Sequence, residues 1–137
     1  MTNLSVLYDK FLSKITDYRL LKMTEEEIKE DLFGYFESAR SKFYKCKKSL
    51  EVVDEVIQDE LTYFEIEILV SLMLVEHITP QLLSSENLKQ SLSDKSFKLY
   101  SQANQLREIR LLLEGLEKKS KKMITEYTFL DLNEEKM

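Results

Sequence analysis

The segment "LTYFEIEILVSLMLVEHITPQLL", residues 61–83, constrains this chain more than any other. Wound as a helix, it places Phe64, Ile66, Ile68, Leu69, Val70, Leu72, Met73, Leu74, Val75 and Ile78 around the whole circumference. A helix that is apolar all round must be covered, either by lipid or by protein. A membrane span needs ~20 mainly apolar residues. Glu65, Glu67, Glu76 and His77 shorten the uncharged run to 68–75, and charges at that density are costly in hydrocarbon. The segment therefore reads as a helix buried in protein, with no membrane partner.

The start, "MTNLSVLYDKF", lacks a basic stretch followed by an apolar one, so no secretion signal is expected. A length of 137 residues suggests one domain, and 43% hydrophobic residues suffice for a core. Two Gly and one Pro leave little material for the turns of a sandwich or barrel, or for a phosphate-cradling loop. Leu, Glu, Lys and Ile favour helix. One cysteine, Cys46, makes no internal disulfide, which suits a reducing compartment. A net charge of −5 argues against a general nucleic-acid footprint.

The chain divides into four main helices. In "NLSVLYDKFLSKI" the residues Leu4, Leu7, Tyr8, Phe11, Leu12 and Ile15 form one stripe, with Asn3 as N-cap. "TDYRLLKM" reads as a connection. A second helix opens at Thr24, where Glu27 completes a capping box, and its inner stripe is Ile28, Leu32, Tyr35, Phe36, Ala39 and Phe43. Lys45, Lys47 and Lys48 are expected at its negative end. Gly34 costs ~1 kcal/mol against Ala and is expected to allow a close helix crossing. "SLEVVDEVIQDE" reads either as an extension of this helix or as a short irregular link.

Thr62 and Glu65 form a second capping box and open the third helix. It is expected to run to about Thr79, with a kink or stop at Pro80. "SSENLKQSLSDKS" reads as a loop. The last helix spans about Lys95 to Tyr127, on the stripe Phe97, Tyr100, Ala103, Leu106, Ile109, Leu113, Leu116, Met123 and Ile124. The tail "TFLDLNEEKM" shows no helical period. The expected organisation is thus an all-α bundle over 1–127, with a long C-terminal helix and an extended tail over 128–137.

No catalytic constellation is visible. His77 is the only histidine. With Cys46 far from it, the three or four ligands of a zinc site are not assembled. Leu74 occupies the position where a di-iron bundle would carry Glu. His77 reads as structural. The lysines around Cys46 would lower a thiol pKa, but nothing completes a triad, so a half-buried core residue is expected. The acids of 25–31 fit no calcium loop. The basic runs at 45–48 and 117–122 read as solvated faces, since aromatic interleaving and a nucleic-acid motif are missing. No enzyme, metal or cofactor is expected.

Two stretches point to partners. Ser101, Gln102, Asn104 and Gln105 give the last helix a polar, uncharged side, which desolvates more cheaply than charge. Phe129, Leu130, Asp131 and Leu132 make the tail richer in apolar groups than a disordered end. Both are candidate partner-binding surfaces.

The stretches "LYDKFLSKITDY", "EEIKEDLFGYFESARSKFYKCKKSL", "EIEILVSLMLVEHITPQL" and "FKLYSQANQLREIRLLLE" resemble small virion proteins of tailed bacteriophages, the head–tail adaptors of the neck. The resemblance covers most of the chain and rests on helix patterns. It implies an α-helical bundle forming a ring, usually of about twelve copies. Such a ring lies under the portal protein, receives the next neck or tail-completion protein, and lets genomic DNA pass without reading its sequence. It implies a place in the virion, after synthesis in the host bacterial cytoplasm. The C-terminal segment, with Phe129 to Leu132, would be the portal contact. Two other readings stay open: a small cytoplasmic regulator docking through helix four, and a helical nucleic-acid binder using the basic runs.

Overall fold

The computed structural model describes residues 1–15, 24–91 and 96–135, with side chains over 1–15, 24–80 and 106–130. Four helices, α1 (Leu4–Ser13), α2 (Glu25–Lys42), α3 (Tyr63–Ser91) and α4 (Ser96–Glu135), are joined by a small sheet of β1 (Thr2–Asn3), β2 (Val52–Val53) and β3 (Val56–Ile57). The architecture is the small all-α bundle expected, with a long last helix. The connection over 16–23 and residues 92–95 lie outside the described residues.

The helix starts follow the capping chemistry. The Asn3 side chain accepts from the Ser5 N–H, and the Thr24 hydroxyl accepts from the Glu27 N–H at 3.2 Å. At α3 the box is reciprocal. Thr62 Oγ1 accepts from the Glu65 N–H at 3.2 Å, and Glu65 Oε1 accepts from the Thr62 N–H at 2.7 Å. Two orphan donors are thereby satisfied at one helix end.

α3 is the hub, in contact with all three other helices. Every residue from Ile68 to Val75 is buried. α1 contributes Leu4, Leu7, Tyr8 and Phe11, and α2 contributes Leu32, Phe36 and Ala39, with Phe43 at its cap. Ile28 and Tyr35 pack at the margin of this cluster. α4 runs antiparallel to α3: Tyr127 meets Glu65, Ser120 meets Ser71, and Leu113 packs with Val75 and Ile78. Burying a Leu- or Phe-sized side chain stabilises by about 1.5–3 kcal/mol. The covering of α3 from several sides is thus the dominant favourable term.

Five expectations are corrected. First, α2 ends at Lys42, with Arg40 and Lys42 in its last turn. Lys45, Lys47 and Lys48 lie in the following loop, outside the helix. Second, the link after α2 contains a β-hairpin. Val53 pairs with Val56 and Val52 with Ile57, while β1 adds to β3 through Thr2↔Ile57 and Asn3↔Val56. The turn residues Asp54 and Glu55 both take positive φ, 51° and 63°, as two-residue hairpin loops require. β-branched residues favour the pairing, and Ile57 is fully buried beneath it.

Third, α3 passes through Pro80 to Ser91, so neither a stop nor a loop over 84–91 occurs. Pro80 is exposed, and its missing N–H leaves the Glu76 carbonyl without an intrahelical donor. The Thr79 hydroxyl adds a bond to the Val75 carbonyl at 2.7 Å. Fourth, the tail is not extended: α4 continues without a break to Glu135. No Gly or Pro follows Gly115, and propagating a formed helix is far cheaper than nucleating one. Fifth, Gly34 allows no close crossing inside this fold, because an added Cβ would meet nothing within 4 Å.

Candidate functional site

The strongest electrostatic feature is a buried carboxylate. Glu65 sits in the first turn of α3 at 1% exposure. Lys48 Nζ lies 3.0 Å from its Oε1, beside the Thr62 N–H. On the other oxygen, the Tyr127 hydroxyl donates at 2.7 Å, and the Cys46 thiol is 3.6 Å away. Tyr127 in turn accepts from the Lys47 N–H at 3.1 Å, and Lys48 also donates to the Glu60 carbonyl at 2.8 Å. One carboxylate therefore joins the α3 start, the loop after α2 and the last turns of α4.

The charge states follow from these contacts. Burial pushes the Glu65 carboxyl up, but the Thr62 N–H, the Tyr127 hydroxyl and Lys48 together bring it below the usual carboxylate range. Burial, helped by the neighbouring Glu65 charge, raises the Cys46 thiol. The lowering expected from its flanking lysines is outweighed by this burial and then by the facing carboxylate. Burial also raises Tyr127, with its bond to Glu65 adding to the shift. The cluster thus holds an anionic acid beside a protonated thiol and a protonated phenol. That arrangement suits holding elements together; a thiol kept protonated is a poor nucleophile.

His77 lies inside the bundle, 8% exposed. Its Nδ1 is 3.3 Å from the Tyr35 hydroxyl, and its ring meets Phe11 and Tyr35 edge-on, both at 5.5 Å. These contacts place it among aromatic core groups. Among the described residues, no three His, Cys, Asp or Glu side chains come together to hold a metal ion.

A second feature is an open groove of about 540 Å³ between α1, α2 and the hairpin. Tyr8, Phe33 and Val52 line it, with the carboxylates of Glu26, Glu30, Asp54 and Glu55 and the ammonium of Lys29. Burial and then the Glu55 charge push the Tyr8 phenol up to about 12. The groove is acidic over an apolar floor, so it disfavours anions and suits a basic surface. In the sequence alone, the acids of 25–31 fit no calcium loop. The groove needs the hairpin, which local periodicity did not reveal.

The candidate partner residues separate. Phe129 and Leu130 lie on α4 at 61% and 53% exposure, and do not fold back on the bundle. The side chains of Asp131, Leu132, Gln102 and Gln105 lie outside the described residues. Tyr127 is the last residue of α4 seen against the α3 start. Residues 128–135 therefore carry the helix about 12 Å beyond that contact, at 1.5 Å per residue. The outer side of α4 also exposes Leu111 and Leu112, at 57% and 53%.

No helix among the described residues is long and apolar enough to cross a membrane. Comparisons with protein-family models, with curated proteins and with solved structures found no match.

Proposed function

We propose that this chain is a non-catalytic structural protein of a tailed-bacteriophage virion, a head–tail adaptor that forms a ring between the portal and the next neck protein. The observation that carries this reading is the end of α4 beyond Tyr127. The helix continues for eight residues after Tyr127 and presents Phe129 and Leu130 to solvent. A helix end with exposed apolar side chains fits a hydrophobic groove on a partner. The portal contact is accordingly a docked helix, in place of an extended tail. The resemblance in helix pattern supplies the class of partner, and the acidic balance suits a channel through which DNA slides without binding.

The test is deletion of residues 129–137 in the phage that encodes the chain. The bundle should stay folded, since Tyr127 keeps its contact with Glu65. The heads should fail to retain DNA or join tails. Normal particle assembly by the truncated protein would remove the α4 end as the portal contact.

A second reading is favoured by a different observation. Leu111 and Leu112 are exposed on α4, which also suits a small cytoplasmic regulator docking through that helix. Such a protein would bind its partner unchanged after loss of residues 129–137, and would lose binding on Leu111→Ser with Leu112→Ser.

A further inference from the structure

The chain has two glycines, Gly34 and Gly115, and both lie in helix interiors. Neither takes a positive φ, and neither ends a helix. A Cβ added to either would meet no atom within 4 Å. Nothing inside this fold requires them, while an exposed helix interior favours almost any other residue. A missing side chain is useful where a second helix axis must come close.

Their surroundings are opposite in charge. At 3.6 residues per turn, Gly34 shares the outer face of α2 with Glu27, Glu30 and Glu37, and Phe33 lies beside it; all four are exposed. Gly115 shares the outer face of α4 with Leu111, Leu112, Lys118, Lys119 and Lys122, also all exposed, and with the exposed Glu108 two turns before it. Among the described residues these three lysines make no ion pair. Pairing two α2 faces would set glutamate against glutamate, and pairing two α4 faces would match Lys122 to Glu108 only in an antiparallel crossing, leaving Lys118 and Lys119 without acidic counterparts. The mixed pairing alone sets the whole lysine run of 118–122 against acids, and it also gives Leu111 and Leu112 an apolar counterpart in Phe33.

We propose that the outer face of α2 in one copy packs against the outer face of α4 in a second copy, with the two helices crossing at Gly34 and Gly115. The first copy then keeps its α4 face free, and the second keeps its α2 face free. Such a contact is heterologous, and it repeats until the rotation closes a ring. For closure it rests on the ring reading given above, but the contact itself needs no portal.

Size-exclusion chromatography with light scattering on the full chain, over a range of protein and salt concentrations, tests this. The parent should associate as concentration rises, and less so in high salt. Gly34→Gln and Gly115→Gln improve helix propensity, so each monomer should melt at or above the parent temperature. Each should nevertheless associate at least about tenfold more weakly, because a side chain now fills the crossing. Glu27→Lys with Glu30→Lys, and separately Lys118→Glu with Lys122→Glu, should both abolish association, and mixing these two variants should restore it. A parent that stays monomeric at every concentration overturns the proposal. So do glycine variants that associate like the parent, or charge-reversed chains that fail to complement. A monomeric parent leaves the portal test standing, and a failed portal test leaves this contact standing.

Discussion

Replacing Glu65 by Ala should destabilise the protein by about 3–5 kcal/mol, the range for breaking one side of a buried charged pair. The Thr62 N–H loses its cap, which alone is worth ~1 kcal/mol. The Tyr127 hydroxyl loses a bond to a charged acceptor at 2.7 Å, worth about 1.5–3 kcal/mol. Lys48 keeps only the Glu60 carbonyl. For a chain of this size the melting temperature should fall by roughly 10–15 °C. Urea unfolding followed by far-ultraviolet circular dichroism measures the loss directly. Tyr127→Phe should cost about 1.5–3 kcal/mol by itself. The double variant should cost less than the sum, with a coupling of at least about 0.5 kcal/mol. The sign with pH is fixed as well. The folded Glu65 carboxyl lies below its unfolded value of 4.5. Its stabilisation is therefore complete above that value, and is lost as pH falls through the folded one. Glu65→Gln removes this component, so the gap between parent and variant should narrow below about pH 4.5. Full additivity of the two substitutions, or a cost under about 1 kcal/mol for Glu65→Ala, would refute the view of this cluster as a single joint.

Leu72, 5% exposed on α3, should not tolerate Asp. An unpaired buried charge costs several kcal/mol, and a soluble Leu72→Asp protein melting like the parent would contradict the placement of α3. Glu55→Gly should stabilise by about 1 kcal/mol, because Glu55 holds a φ of 63° that glycine adopts without strain; thermal melting reads this, and a lower melting temperature would count against the hairpin turn. Pro80→Ala should stabilise by up to about 3 kcal/mol, since it restores a donor inside a continuous helix. A loss of stability there would mean that α3 does not pass straight through residue 80.

Much of the bundle was legible because its signals are local. The Asn3 cap, the capping boxes at Thr24 and Thr62, and the stripes of α1 and α2 each depend on residues within about one or two turns of one another. The burial of α3 followed from its apolar circumference alone. The hairpin was hidden because its turn is Asp54–Glu55, without the glycine that usually marks such loops. Its strands also hold only two residues each, and are fixed by pairing with Thr2 and Asn3 from the far end of the chain. Helix through Pro80 and through 128–135 needed a run already nucleated and packed, which overrides a missing donor or a weak period. The Glu65 cluster was least accessible. Its acid and phenol stand 62 positions apart, and the lowered carboxyl and raised thiol arise only when the loop after α2 and the end of α4 meet at the start of α3. Sequence determined which faces had to be covered; tertiary structure decided which groups cover them, because charge and burial depend on neighbours that lie distant along the chain.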